Sequence, residues 1–389
     1  MANNVTTESG IDFQMTDEMK MLQQAARDFA ENEIRPHVMK LDEAQEFPMA
    51  IVKKMAELGF LGATIPAELG GAGLTALEFI VIMEEIARID PSVALTLAAH
   101  SGLCLQHIDL FANDAQRKKY IPDLATGKKI GSWCLTEPEA GSDASGTKTM
   151  AVRSGDFYTV NGAKSFITNG SYADTFVVMA KTDPSKGKSG ISALIIEKAM
   201  GGISVGRKEN KLGMRASDTV QLIFDNVKVP AGNLLGKEGE GFKQALAVLD
   251  SGRIGIAALS VGLAQGALDA SVKYAKERKT FGKPLAEHQA IQFKLATMAV
   301  ETQAARLLTQ RAAAAKVAGK NINLVAAIAK LFASEVAERA ASEAVQIHGG
   351  YGYIKEFPVE KYYRDVKLLT IGEGTSEVQR MVIAKNLLQ

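Results

Sequence analysis

The chain has 389 residues, 47% hydrophobic and 23% charged, the balance of a soluble globular protein with room for two or three domains. Its 45 Lys and Arg nearly cancel its 44 Asp and Glu, so no bulk charge points to nucleic acid or to an anionic membrane. Two cysteines, Cys104 and Cys134, make no disulfide framework, and five histidines without ligand spacing argue against a metal site.

Up to about residue 128 the pattern is helical. Thr16 ahead of Asp17 and Glu18 reads as an N-cap, and Pro48 opens the segment Met49 to Leu58, which Gly59 closes. Thr75 and Glu78 have capping-box spacing before an apolar run to Ile86, and Ser92 to Ile108 reads as a buried helix. The N-terminus has neither the build of a secretory signal nor that of an arginine-rich transit peptide, which predicts a cytoplasmic location. Apolar stretches such as Ile254 to Leu268 are too short to span a bilayer, so no transmembrane segment is expected.

Between about 129 and 238 the texture changes to strands, at Met150 to Val152, Phe157 to Val160, Thr175 to Ala180, Ile191 to Ile196 and Val220 to Phe224. No helices of 10–15 residues separate them, which predicts an antiparallel barrel or sandwich rather than a parallel doubly wound sheet. From 239 to 389 long Ala- and Leu-rich helices return, at Gly241 to Glu277, Glu287 to Ala318 and Leu324 to Gln346. A last helix from about Thr375 completes a four-helix bundle. The expected fold is therefore α+β and multi-domain: helical 1–128, β 129–238, helical bundle 239–389.

There is no G-x-G-x-x-G after a strand, no Walker loop, no G-x-S-x-G and no H-E-x-x-H, which removes the best evidence for the common nucleotide, hydrolase and zinc chemistries. Four other segments stand out. Ile371 to Arg380 reads I-G-E-G-T-S-E-V-Q-R and sets a single carboxylate, Glu373, between two glycines that let a ligand approach the backbone. Cys134 to Gly146 reads C-L-T-E-P-E-A-G-S-D-A-S-G, Glu277 to Gly282 reads E-R-K-T-F-G, and Gln346 to Asp365 reads Q-I-H-G-G-Y-G-Y-I-K-E-F-P-V-E-K-Y-Y-R-D. Taken singly, each also reads as ordinary structure: a polar loop, a helix end, or a turn closing a helix. Asp250 and Arg253 likewise read either as a local ion pair or as part of a site.

Together, in register over Met15 to Leu388, these segments resemble the acyl-CoA dehydrogenase family of flavoproteins. The resemblance implies FAD, held without covalent attachment between the sheet domain and the bundle. By the same resemblance Trp133, Leu135, Thr136, Gly141 and Ser142 run along the flavin, and Phe166, Ile167 and Thr168 cover it, with Phe166 where relatives carry Trp. Arg278, Phe281, Gln289, Gln346, Gly349 and Gly350 correspond to residues that grip the flavin tail from a neighbouring subunit, which implies a homotetramer, a dimer of dimers. Thr375 and Glu377 complete the cofactor site, and Ser142, Asp250, Arg253 and Gly374 lie on the acyl-CoA side. Glu373 corresponds to the base that takes the α-proton of an acyl thioester while a hydride leaves the β-carbon for flavin N5. Its backbone N–H would bond the thioester oxygen, and the electrons would pass to an electron-transferring flavoprotein.

Some relatives that act on branched substrates place the base on the helix carrying Arg253, where this chain has Gly252. Ala94 stands where relatives acting on glutaryl thioesters carry Arg, which disfavours a dicarboxylic acyl group. Gly372 replaces a Tyr common in straight-chain members. The pattern is nearest to the short-chain, butyryl branch. Short branched or cyclic acyl groups, an oxygen-using flavoenzyme of the same fold and a non-catalytic scaffold are the alternatives.

Overall fold

The computed structural model describes residues 15–389. Residues 1–14, read above for targeting signals and counted in the segment 1–128, lie outside the described residues.

Helices open the chain: α1 Asp17–Phe29, α2 Val38–Ala44, α3 Met49–Glu57, α4 Ala76–Ile89, α5 Pro91–Leu97, α6 Gln106–Phe111 and α7 Asp114–Ala125. The Thr16 hydroxyl accepts from the Met19 N–H, and Thr75 and Glu78 close the reciprocal capping box. The buried helix expected over Ser92 to Ile108 is not uniform. α5 and α6 are joined by a π-helical stretch, Ala98–Leu105. Its polar side chains bond outside the helix: the His100 ring bridges Leu124 O at 3.1 Å and Gly131 N at 2.9 Å, and Ser101 Oγ donates to Leu61 O at 2.7 Å. Such widened turns favour functional sites.

The middle region forms β1 Gly131–Cys134, β2 Met150–Ser154, β3 Phe157–Thr168, β4 Thr175–Lys181, β5 Ile191–Glu197, β6 Ile203–Lys208, β7 Thr219–Pro230 and β8 Leu234–Leu235. They pair in the order β6-β7-β3-β2-β4-β5-β8, with β1 added beside β4. Side chains from β5 and β7, far apart in that order, share one core with β3 and β4 (Val160, Phe176, Leu194, Leu222, Phe224), so the sheet curls around them. Pairing is antiparallel as expected, with two exceptions. β1 runs parallel to β4 from Gly131 to Cys134, and β2 meets β4 in parallel at Met150 and Lys181. Parallel neighbours need a long crossover, which the loop after β1 and the β2–β3 hairpin supply.

The chain then forms α8 Gly241–Glu277, a hairpin of β9 Lys279–Thr280 and β10 Lys283–Pro284, α9 Gln289–Val317, α10 Asn323–His348, α11 Val359–Val366 and α12 Ser376–Leu387. α8 is long and apolar enough to cross a membrane, contrary to the shorter stretch read from sequence. In the fold, 78% of its apolar window is buried, as in a core helix. α4 lies so close to α8 that a Cβ at Gly262 or Gly266 would strike the α4 backbone at Glu84 or Arg88. One hydrophobic core accordingly runs from α1 and α4 through α8 and α10 to α11.

Candidate active site

The segment with Glu373 folds as a tight turn between a 3₁₀ turn, Lys367–Thr370, and α12. Glu373 has φ +53° and Gly374 φ +93°. Left-handed backbone costs a non-glycine residue about 1–2 kcal/mol, so the turn must be held by its surroundings. Lys330 Nζ donates to Gly374 O at 2.8 Å, and Gln379 Nε2 donates to Gly374 O at 2.9 Å and to Glu373 O at 3.2 Å. The Thr375 hydroxyl caps α12 by accepting from Val378 N at 3.3 Å, while Glu377 lies exposed in its first turn.

Sequence reading missed Lys330, which is fully buried on α10. A signal was present. Lys330 interrupts the stripe Ala326, Ala333, Ala337, Ala340, Ala344 at helical spacing, and a lone cation in an apolar face requires a buried partner.

Glu373 is half-buried as a residue, yet its Oε2 is enclosed and has no hydrogen-bond partner among the described residues. It stands over Gly252 of α8. A Cβ built at Gly252 would lie under 3.0 Å from Oε2 and 3.0 Å from Leu103 Cδ2 on the π-helical stretch. Burial raises the Glu373 carboxyl from its ordinary 4.5 to about 7, against the opposing pull of the Lys330 and Arg253 cations. Burial likewise lowers the Lys330 ammonium to about 8, with Glu373 acting in the other direction.

Arg253 is buried one turn from Asp250, with Nη1 on Asp250 Oδ1 at 2.5 Å, and Asn323 Nδ2 binds the same carboxylate at 2.9 and 3.1 Å. The local ion pair therefore exists, and it leaves Arg253 Nε without a partner. The pair is a structural contact, and it leaves a donor unspent on one of the cations that act on Glu373.

A second cluster forms where β1 and β3 converge. Trp133 on β1 donates its indole N–H to His107 Nδ1 at 2.9 Å, and His107 Nε2 faces Gln244 Oε1 at 3.1 Å. The segment after β1 is tied to β3 by Ser165 N to Thr136 O at 2.9 Å and by Lys164 Nζ to Leu135 O at 3.0 Å. Lys164 also forms a buried ion pair with Glu137 at 2.7 Å, and Glu137 accepts from the N–H groups of Lys148 at 2.6 Å and Thr149 at 3.0 Å. Gly141 and Ser142 are exposed beyond this anchor.

Phe166 has φ +57° and is 64% exposed, at an irregularity in the β3–β7 ladder between Lys164 and Ile167. Its neighbour Ile167 is buried in the sheet core, and Thr168 O accepts from Ser132 Oγ at 2.6 Å. The bulge turns the ring outward, a device common beside active sites.

The third cluster faces solvent. Phe281 sits at the tip of the β9–β10 hairpin with φ +50° and is 97% exposed. Arg278 at the hairpin base lies over the Tyr351 ring at 5.5 Å, next to Gly349 and Gly350, where an added Cβ would meet open space. Gln289 and Gln346 are exposed at the ends of α9 and α10. Among the described residues no hydrogen bond or ion pair joins this cluster to Glu373, Trp133 or Phe166.

Three family models match the chain in sequence: the acyl-CoA dehydrogenase N-terminal domain over residues 16–128, the middle domain over 132–227 and the C-terminal domain over 239–388. A short-chain-specific acyl-CoA dehydrogenase of Clostridium acetobutylicum is 46% identical over 379 residues, 97% of this chain and 100% of that protein. The subunit CarC of the caffeyl-CoA reductase–Etf complex of Acetobacterium woodii is 46% identical over 375 residues, 96% of this chain and 99% of its own length. The solved structure of butyryl-CoA dehydrogenase from Megasphaera elsdenii superposes with a TM-score of 0.96 at 46% identity, covering 97% of this chain and 100% of that one. Matched by these models over nearly its whole length and by relatives that are enzymes, the chain is a member of the acyl-CoA dehydrogenase family.

Proposed function

We propose that the protein removes one hydrogen from each of the α and β carbons of a short acyl-CoA, with Glu373 as base and FAD as acceptor, and hands the electrons to an electron-transferring flavoprotein. The observation that carries this reading is the Glu373 carboxylate, enclosed, unpartnered and raised to about 7. A thioester carbonyl acidifies its α-hydrogen, and a base whose pKa lies near the working pH accepts that proton best. Glu373 Oε2 takes the proton. Among the described residues the Glu373 backbone N–H donates to no acceptor, which leaves it for the thioester oxygen as negative charge develops there.

The residues present fit a flavin. Phe166 offers an exposed ring on strained backbone, Trp133 and Thr136 lie on a segment anchored to β3, and Ile167 and Thr168 continue the same strand. Leu135 and Gly141 shape that segment, and Ser142 at its exposed end suits a cofactor phosphate or the CoA. Thr375 and Glu377 border the site at the start of α12, and Gly374, Asp250 and Arg253 face the CoA side. When bound, FAD supplies the acceptor for the β-hydride. Arg278, Phe281, Gln289, Gln346, Gly349 and Gly350 would reach the flavin of a neighbouring subunit in a homotetramer, which accounts for their exposure in one chain.

The name of the Acetobacterium relative supports an electron-transferring flavoprotein as partner, and it also names the reverse reaction. A Glu373 carboxyl near 7 is populated in both protonation states at neutral pH, so the same residue serves as base for dehydrogenation and as proton donor for reduction of an enoyl thioester. The short-chain assignment rests on the relatives named for it. Gly372 favours a branched group as second reading: it carries no ring, and the atoms nearest a Cβ there are those of Leu368, at 3.5 to 3.9 Å.

The test is anaerobic titration of the FAD-loaded protein with straight C4, branched C4–C5, C8 and C16 acyl-CoAs, following flavin bleaching. Bleaching by a short class with slow reoxidation in air supports the dehydrogenase. Fast reoxidation would mean an oxygen-using flavoenzyme, and a protein that takes up no FAD would mean a scaffold.

A further inference from the structure

A narrow cavity of about 20 Å³ abuts Gly252, over which the Glu373 carboxylate stands. That is room for about one water. Part of its wall is apolar, from Phe79, Ile80 and Ile254, and the rest is polar, where Gln106, Ser251 and Lys316 meet. Gly102 and Gly255 border it without filling it, since a Cβ on either would meet open space.

Lys316, in the last turn of α9, donates Nζ to Ser251 Oγ. With the Gln106 amide oriented so that both its ends find partners, Lys316 Nζ also donates to Gln106 Oε1 at 2.6 Å, and Gln106 Nε2 donates to Gly102 O at 2.9 Å. Both partners of the ammonium are neutral. The anion acting on it, Asp109, is already paired with Arg117 at 2.8 Å. Burial lowers the Lys316 ammonium to about 8, so it remains mostly charged at neutral pH. Ser251, Gly252 and Lys316 line the same cavity, so this cation from α9 shares a wall with the glycine over which Glu373 stands.

We propose that Lys316, together with Ser251 and Gln106, is a polar stop that restricts the acyl group to a short chain. This rests on the acyl-CoA reading above and adds the residues that set the length. An added methylene that finds apolar surface ordinarily gains roughly fourfold in affinity. Against the Lys316 wall it gains nothing, and it separates the ammonium from neighbours whose hydrogen bonds replace its water. The chain length accepted is therefore set by the polarity of this wall as well as by the size of the cavity. Lys316 is a specificity-determining residue, and it takes no part in the proton or hydride transfer.

The test compares anaerobic flavin bleaching by butyryl-, hexanoyl-, octanoyl- and glutaryl-CoA in the FAD-loaded wild type, Lys316→Met and Lys316→Arg. The expected result is fast bleaching by butyryl-CoA in the wild type and an octanoyl-to-butyryl rate ratio that rises at least about tenfold in Lys316→Met. Lys316→Arg keeps the wild-type ratio. If Lys316→Met does not fold, Gln106→Leu removes the acceptor side of the same wall and is expected to move the ratio in the same direction. An unchanged ratio in a folded, flavin-loaded variant overturns the proposal, as does a wild type that bleaches equally fast with octanoyl-CoA. Faster bleaching by glutaryl-CoA than by butyryl-CoA also overturns it, because the wall would then be a receptor for a carboxylate. Bleaching by none of the thioesters in the wild type would overturn the dehydrogenase reading itself, a different result from any change in ratio.

Discussion

Glu373 and Gly252 share one volume: the Glu373 Oε2 atom fills the space that a side chain on Gly252 would need. The two residues come from distant parts of the chain, a turn before α12 and α8, and in this arrangement the carboxylate occupies the space. A side chain at 252 would therefore displace the Glu373 carboxylate from the place it holds here. The structural reason is steric, independent of any comparison between relatives.

Gly252→Ala tests this directly. The new Cβ would press on Oε2 and on Leu103 Cδ2, and the carboxylate must swing off its position. A misplacement of about 1 Å costs on the order of a hundredfold in rate. Stopped-flow flavin reduction is expected to fall by about that factor, with FAD content and melting temperature little changed. Transferring the group, Glu373→Gly with Gly252→Glu, is expected to return part of the lost rate. A Gly252→Ala enzyme as fast as the wild type would show that the carboxylate acts from somewhere else.

Glu373→Gln is expected to keep its flavin and lose most of its reduction by substrate, and it also makes a stability prediction. The carboxyl holds its proton more tightly in the fold, near 7, than in the unfolded chain, near 4.5. Between those values the native state binds the extra proton, so wild-type stability falls as pH rises from about 4.5 to about 7 and is level beyond. Glutamine removes that loss. The variant should melt several degrees above the wild type at pH 8 and at nearly the same temperature at pH 5, by calorimetry. An equal difference at both pH values would mean that the carboxylate is not destabilised by burial.

Lys330 and Arg253 are the cations that hold the Glu373 carboxyl down against burial, from α10 and α8 respectively. Lys330→Met removes one of them, so the Glu373 carboxyl should rise further above 7, by about one unit. The pH profile of flavin reduction would then move to higher pH, with a lower rate at pH 7 and recovery in alkali. Lys330→Arg should leave the profile where it was. Loss of the Nζ bond to Gly374 O alone would lower the rate at every pH without moving the midpoint, which separates positioning from charge.

The helical regions were readable because caps and apolar periodicity are local: Thr16, the Thr75–Glu78 box and the full span of α8 appear as expected. β1 was not, since four residues of mixed character become a strand only by lying parallel to β4. The motif residues were legible as a set through resemblance. Their supports were not. Lys330 on Gly374, Lys164 on Glu137 and His107 under Trp133 pair residues 26 to 44 positions apart, and nothing at either end of such a pair announces the other.

His100 and His107 give the protein an acid limit. Both rings are buried, bonded as neutral imidazoles, and held down to about 4 by burial. Unfolded histidines take up protons near 6.5, so stability should fall as pH drops from about 6.5 to about 4 and stay level above. Glu373 works in the opposite direction over part of this range, one group against two. The melting temperature from pH 8 to 4.5 is expected to fall on the acid side. His107→Gln, which keeps an acceptor for the Trp133 indole, should make that fall shallower. A parallel curve would remove His107 from the account.

Phe281 is the ring that the proposed neighbouring subunit would cover. A phenyl ring that is 97% exposed, on a residue with left-handed backbone, costs free energy twice in an isolated chain: unburied apolar surface and a strained turn. Such a residue is retained where another surface covers it. Burial of a phenyl side chain contributes about 1.5–3 kcal/mol, enough to change flavin retention by tenfold or more. Phe281→Ala should therefore release FAD on dilution or gel filtration while the far-ultraviolet spectrum is unchanged, and Phe281→Gly, which also relieves the turn, should raise the melting temperature of the flavin-free protein. Mixing Phe281→Ala with Glu373→Gln subunits gives the sharper outcome. If the ring reaches across, a hybrid can pair an intact Glu373 with a neighbour's intact Phe281, and activity should reappear although neither parent has much. No recovery in a demonstrated hybrid would place Phe281 on the flavin of its own chain.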